Sequence, residues 1–202
     1  MNKVRPITRS GAWSGHHRLY RRAAHRALEQ LHELHSELTQ LWKEVGAEDG
    51  GPHLKEYFQK LEDYLVLAAS AQMYCAMAVE ALLNFYGVCR LGETFYKRNL
   101  ERLSAIAKLE LLIAVCEHDL LETSNELSPL LRRITGRRND LVHPKAHEYS
   151  DCATNHLERG DWPDRLPEMV KMAIDDMELF FERFAAISGH SRAAVEFFRS
   201  AI

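Results

Sequence analysis

Along residues 17–45 the apolar positions Leu28, Leu31, Leu34, Leu38, Leu41 and Val45 recur at steps of three and four, the period of a helix with one buried face. The run Gly46-Ala47-Glu48-Asp49-Gly50-Gly51-Pro52 then stops it, because Gly and Pro together favour a turn. Residues 54–88 carry no proline, and no glycine before Gly87, which predicts a long second helix. Its middle, residues 68–83, is apolar almost all round, as a helix must be when it packs against several neighbours at once; Glu80 lies inside this stretch. A third helical region follows Gly92 and runs to about His118, with an irregular start near Phe95. Ser124 or Ser128 suits the cap of the next helix, with Pro129 in its first turn and Arg138 near its end. Residues 151–167 are polar, contain Gly160, Pro163 and Pro167, and read as a surface loop. Val170, Ile174, Met177, Phe181 and Phe184 mark a further helix, and a short one follows Ser191. No strand-like alternation and no internal repeat is present, so the expected fold class is an all-α helical bundle of about five to seven helices. Residues 1–50 read as an N-terminal extension whose long helix packs on a bundle formed by residues 51–202, the whole forming one continuous domain.

Composition narrows the function classes. The chain has 202 residues, 46% hydrophobic and 27% charged, enough to bury a core and too apolar for wholesale disorder. No run approaches the roughly 18 consecutive apolar residues of a membrane span, and the basic start at Lys3, Arg5 and Arg9 has no apolar stretch behind it. The expectations are therefore a cytoplasmic protein with no membrane partner. Cys75, Cys89, Cys116 and Cys152 form no close pair of the kind that zinc or redox motifs use, so they read as small apolar residues. A formal net charge of −3 argues against nonspecific coating of nucleic acid, which needs many uncompensated cations. Local basic stretches remain: Arg18, Arg21, Arg22 and Arg26 open the first helix, before Glu29, Glu33, Glu37 and Glu44. Arg132, Arg133 and Arg137 precede Arg138. Such runs can line an RNA track or simply be solvated faces.

The segment Arg138-Asn139-Asp140-Leu141-Val142-His143-Pro144 carries the strongest chemical signal. On an unbroken helix Arg138 and His143 would sit about 140° apart. Pro144 disfavours α geometry at His143, so a helix ending there can turn the imidazole back toward Arg138 and Asn139. A guanidinium and an imidazole gathered in this way suit a phosphodiester. In RNA, the 2′-hydroxyl can attack the adjacent phosphorus once a base takes its proton, provided the leaving 5′-oxygen receives one, and no metal or cofactor is obligatory. His143 suits proton transfer because its ordinary pKa is near 6.5. Arg138 would bind the phosphoryl oxygens with a matching planar fork, and Asn139 would orient imidazole or phosphate. Arg137 and Lys145 are the neighbouring candidates for substrate binding. One histidine cannot readily serve both sides of one phosphorus, so a two-fold homodimer facing its two copies across a cleft is the expected assembly.

These residues resemble the HEPN family. The resemblance implies a helical bundle with an Arg-x(4 to 6)-His motif closing a late helix, often with Asn after the Arg; Arg138, Asn139 and His143 fit it with four residues between. Ala78-Val79-Glu80-Ala81-Leu82-Leu83-Asn84 is similar to the family's earlier helix, in which an acidic residue faces the motif. Together the match spans residues 54–184 in helix order. It implies a metal-independent endoribonuclease of toxin–antitoxin or defence type, with RNA as substrate and a cognate antitoxin or nucleotidyltransferase as partner. It equally admits members that have lost activity and bind a partner protein or nucleotide.

Plainer readings stand beside these. Cationic side chains at a helix C-terminus interact favourably with the free carbonyls there, which would explain Arg138 and His143 without catalysis. Glu80 suits a buried ion pair with an arginine that ties two helices, and such a pair with Arg138 would serve both readings. Asn84, one turn on, suits polar partners between helices. His32 with His35 and His143 with His147 lack the further ligands of a metal site, so none is expected. Cys152 and His156 advertise no oxyanion site. Met73, Met77, Phe180 and Phe181 read as core.

Overall fold

The computed structural model describes residues 16–45, 52–117, 122–142 and 162–188, and within them the chain is six α-helices and no strand. They are α1 (His17–Val45), α2 (Pro52–Leu91), α3 (Glu93–Asn99), α4 (Ala105–Leu112), which continues into a π turn at Ile113–Glu117, α5 (Glu122–Val142) and α6 (Trp162–Ile187). The all-α helical bundle expected from periodicity is what forms.

α2 is the axis. α1 lies antiparallel along it, as the contacts of Trp42 with Tyr57 and of His35 with Tyr64 require, while α6 runs in the same direction as α2, with His17 of α1 touching both Phe85 and Phe181. α5 packs on α2 and antiparallel to α6, and α1 and α5 share no extended interface. Ala71, Ala78, Val79, Leu83, Leu31, Leu127, Val170 and Phe180 are buried in one core cluster drawn from all of these helices. Each large apolar side chain so enclosed contributes about 1.5–3 kcal/mol. The same enclosure explains the hydropathy of α2. Within its segment His53–Leu91 a window long enough to cross a membrane has a mean hydropathy of 1.5, although, as expected, polar residues such as Gln72, Glu80 and Asn84 interrupt every apolar run there. Burial on several sides demands that composition.

Three boundaries differ from the periodicity. The third helical region is broken in two: Gly92, at φ 84°, ends α2 where an L side chain would be strained, and Ser104 starts α4 by accepting from the Ala107 N–H at 3.3 Å. α5 begins before both proposed caps, placing Pro129 inside it. The lost backbone bond is tolerated because Leu127, Leu130, Leu131 and Ile134 are buried around it. α6 starts at Trp162, inside the expected loop; Pro163 sits in its first turn, where a missing N–H costs nothing. The expected helix after Ser191 lies outside the described residues.

A buried polar cluster and a close ring contact tie the connections to α2. Arg90 meets Glu117 at 3.0 Å and donates to the Cys116 carbonyl at 2.9 Å near the end of the π turn, and the Tyr86 hydroxyl also donates to Glu117. At Gly87 a Cβ would stand 2.7 Å from two Tyr96 ring carbons; glycine there lets the ring lie against α2.

Two stability outcomes follow. Gly87→Ala should cost about 1–3 kcal/mol through that clash, whereas Gly136→Ala, whose Cβ would meet nothing within 4 Å, should stabilise α5 by about 0.5–1 kcal/mol, both read from urea midpoints. His17 is 2% exposed; burial first, then the charges of Arg18, Arg21 and His16, lower its pKa from 6.5 to about 4. The unfolded chain therefore takes up this proton first as pH falls. Stability should decline between pH 6.5 and 4 by an amount on the order of 3 kcal/mol, and His17→Leu should flatten that decline.

Candidate functional site

The motif sits at the C-terminal end of α5, a helix whose position is set by charge pairing with α6. Near its start Glu126 meets Arg183 at 3.4 Å. Two turns further on, Asp176 accepts from Arg133 Nε at 3.2 Å, Arg133 Nη2 at 2.7 Å and Arg137 Nη1 at 2.8 Å. Burial pushes the Asp176 carboxyl up, but the hydrogen bonds and charges of the two guanidiniums outweigh it and hold the carboxyl below its usual range. Arg137, expected to bind substrate, is thus committed to α6. Arg138, the next residue, is half-buried and makes no hydrogen bond or ion pair among the described residues. Asn139 beside it is exposed. His143 and Lys145 lie outside the described residues.

Glu80 does not pair with Arg138. Its Oε1 lies 3.4 Å from Lys108 Nζ, on α4. Lys108 is buried, 2% exposed, and also donates to Asn84 Oδ1 at 3.0 Å; the Tyr96 hydroxyl donates to the same Asn84 oxygen. The expected ion pair between helices is therefore formed with a lysine instead of an arginine. A fully enclosed ammonium needs such partners, and Glu80, half-exposed, supplies the charge. Burial, then the charges of Glu80 and Glu101, push the Tyr96 phenol up to about 12, which keeps it a donor.

A second charged cluster, unforeseen from the sequence, faces the other flank of α6. Arg21 grips Glu178 with both Nε, at 2.6 Å, and Nη2, at 2.5 Å, and His25 Nε2 lies 2.9 Å from Glu178 Oε1. Burial raises the Glu178 pKa, but these partners lower it further than burial lifts it. Arg21 also lies over the Phe181 ring at 5.5 Å. The only sequence signals were one lysine in the apolar α4 and two carboxylates two residues apart on α6.

Among the other candidates, Cys75 and Cys116 are buried and Cys89 is half-buried, and burial pushes the Cys75 thiol up to about 12, an inert environment. Tyr20 stacks on Tyr74, and His35 is engaged with Tyr64 at 3.1 Å. Phe180 and Phe181 are core, while Met73 and Met77 are only half-buried. Among the described residues no group of three or more His, Cys, Asp or Glu gathers to hold a metal.

Asp176→Ala should lower stability by about 1–3 kcal/mol at neutral pH, the cost of leaving Arg137 half-buried and unpaired. Because the native carboxyl is held low, its contribution is present above its ordinary value, near 3.8, and lost as pH falls through the lower native value. The gap between variant and wild type in urea midpoints should close at the acid end. No family model, curated protein or solved structure matches this chain.

Proposed function

We propose that the chain is a HEPN-like, metal-independent endoribonuclease of the cytoplasm, working as a homodimer in a toxin–antitoxin or defence setting. The observation that carries this reading is Arg138. Arg133 and Arg137 are spent on Asp176, whereas Arg138 has no ion pair among the described residues and stands on helix that continues to Val142. Its guanidinium is available to an anion, and the sequence brings His143 five residues later.

In the proposed reaction the 2′-hydroxyl loses its proton to a base and its oxygen bonds to phosphorus. The bond from phosphorus to the 5′-oxygen breaks, and that oxygen is protonated. Arg138 binds the phosphoryl oxygens, Asn139 orients the reacting groups, and His143 carries one proton while His143 of the second copy carries the other. The products are a 2′,3′-cyclic phosphate and a 5′-hydroxyl. Glu80 acts at a distance, through Lys108 and the packing of α4.

A non-catalytic binding module is the second reading. It is favoured by the engagement of Glu80 with Lys108 and of Arg137 with Asp176, which turns two candidate site residues toward architecture. An antitoxin or nucleotidyltransferase as partner fits either reading.

Purified protein incubated with total and transfer RNA in excess chelator separates them. Wild type should leave 2′,3′-cyclic phosphate ends, His143→Ala should lose about 10²–10⁴-fold in rate, and Arg138→Ala at least about 10²-fold. If wild type cuts neither substrate, or His143→Ala cuts as well as wild type, the catalytic reading fails.

A further inference from the structure

We propose that the outward face of α1 is a contact surface for a second copy of this chain, with the two α1 helices antiparallel about a two-fold axis. α1 buries Ala24, Ala27, Leu31, Leu38 and Leu41 against the bundle. On its opposite side Arg22, Arg26, Glu29 and Glu33 are all exposed and, at 100° per residue, fall within about 60° of one another. None of these four has an ion pair or hydrogen bond among the described residues. Their charges come in blocks, positive in the first turns and negative in the next.

That arrangement is complementary to itself in one orientation. A two-fold axis passing between positions 27 and 28 sets Arg22 against Glu33 of the second copy and Arg26 against its Glu29, and symmetry repeats both pairs. The spacings on the two sides of the axis match residue for residue, so one register satisfies all four pairs. Arg18 and Glu37 extend the same register, although both are already engaged within the protomer. Parallel helices would oppose like charges instead. A polyanion laid along this face would meet Glu29 and Glu33, so a second copy fits it better than nucleic acid does.

Apart from Leu19, which is 59% exposed, the face offers no large apolar side chain beside these charges. The association therefore rests on exposed ion pairs, each weak and screened within about 8 Å at physiological salt, and is salt-labile. α1 shares no extended interface with α5, so the contact leaves the Arg138 end of α5 uncovered. It is a different surface from the cleft invoked for RNA cleavage and does not rest on that reading.

Sedimentation equilibrium on the full chain tests it. Wild type should self-associate in low salt and dissociate in high salt. The doubly reversed R22E/R26E and E29R/E33R variants, with wild-type helicity by circular dichroism, should each weaken that step by about tenfold or more. An equimolar mixture of the two should regain it, and so should the fourfold exchange R22E/R26E/E29R/E33R, which keeps the net charge. A wild type that is monomeric in low salt, an association indifferent to salt, or a mixture no tighter than its components would overturn the proposal. So would R22E/R26E losing RNA binding while self-associating as wild type does, which would assign the face to nucleic acid.

Discussion

The apolar middle of α2 cannot be left in water, and the rest of the bundle is arranged around that constraint. Ala71, Ala78, Val79 and Leu83 are wholly enclosed, and no single neighbour can enclose a helix on more than one side. α1, α4, α5 and α6 therefore all take part. Small residues set how closely they approach: alanines recur along α2, and Gly87 admits the Tyr96 ring at a distance no side chain would allow. Tyr96 in turn reaches Asn84, and Asn84 shares Lys108 with Glu80. A packing requirement on α2 thus ends in a defined placement of charge beside α4.

Burying α2 settles which helices gather but leaves their rotation and sliding less constrained, and charge pairs at the periphery supply that. Arg90, for instance, answers both the carboxylate of Glu117 and the carbonyl of Cys116, so the π turn that follows α4 is tied to α2. Pairs of this kind, largely buried and hydrogen-bonded at both partners, contribute more to order than exposed ones such as Lys171 with Asp175.

How much of this was legible beforehand depends on the range of the forces involved. α1 was readable end to end because its buried stripe, Leu31, Leu38 and Leu41, follows a local period. The start of α6 was not, because Pro163 and Pro167 signal a loop when the burial of Leu166 and Val170 is unknown. In the site, Arg138 and Asn139 could be singled out by type and spacing. The fate of Arg137 could not, since Asp176 is 39 residues away in the chain. Glu80 was rightly suspected of an ion pair between helices, yet its partner depended on α4 approaching closely enough to bury Lys108. Partner choice is a tertiary property, and it divides the arginines of α5 into Arg133 and Arg137, which hold the fold, and Arg132 and Arg138, which have no ion pair among the described residues.

The two carboxylates of α6 have a mechanical consequence. Asp176 and Glu178 are two residues apart, which places them about 200° around the helix from one another, and one is clamped from α5, the other from α1. A helix gripped on opposite flanks cannot roll: any turn about its axis that eases one clamp strains the other. α6 therefore behaves as a keyed shaft. The two clamps together define the rotation of α6 relative to both α1 and α5.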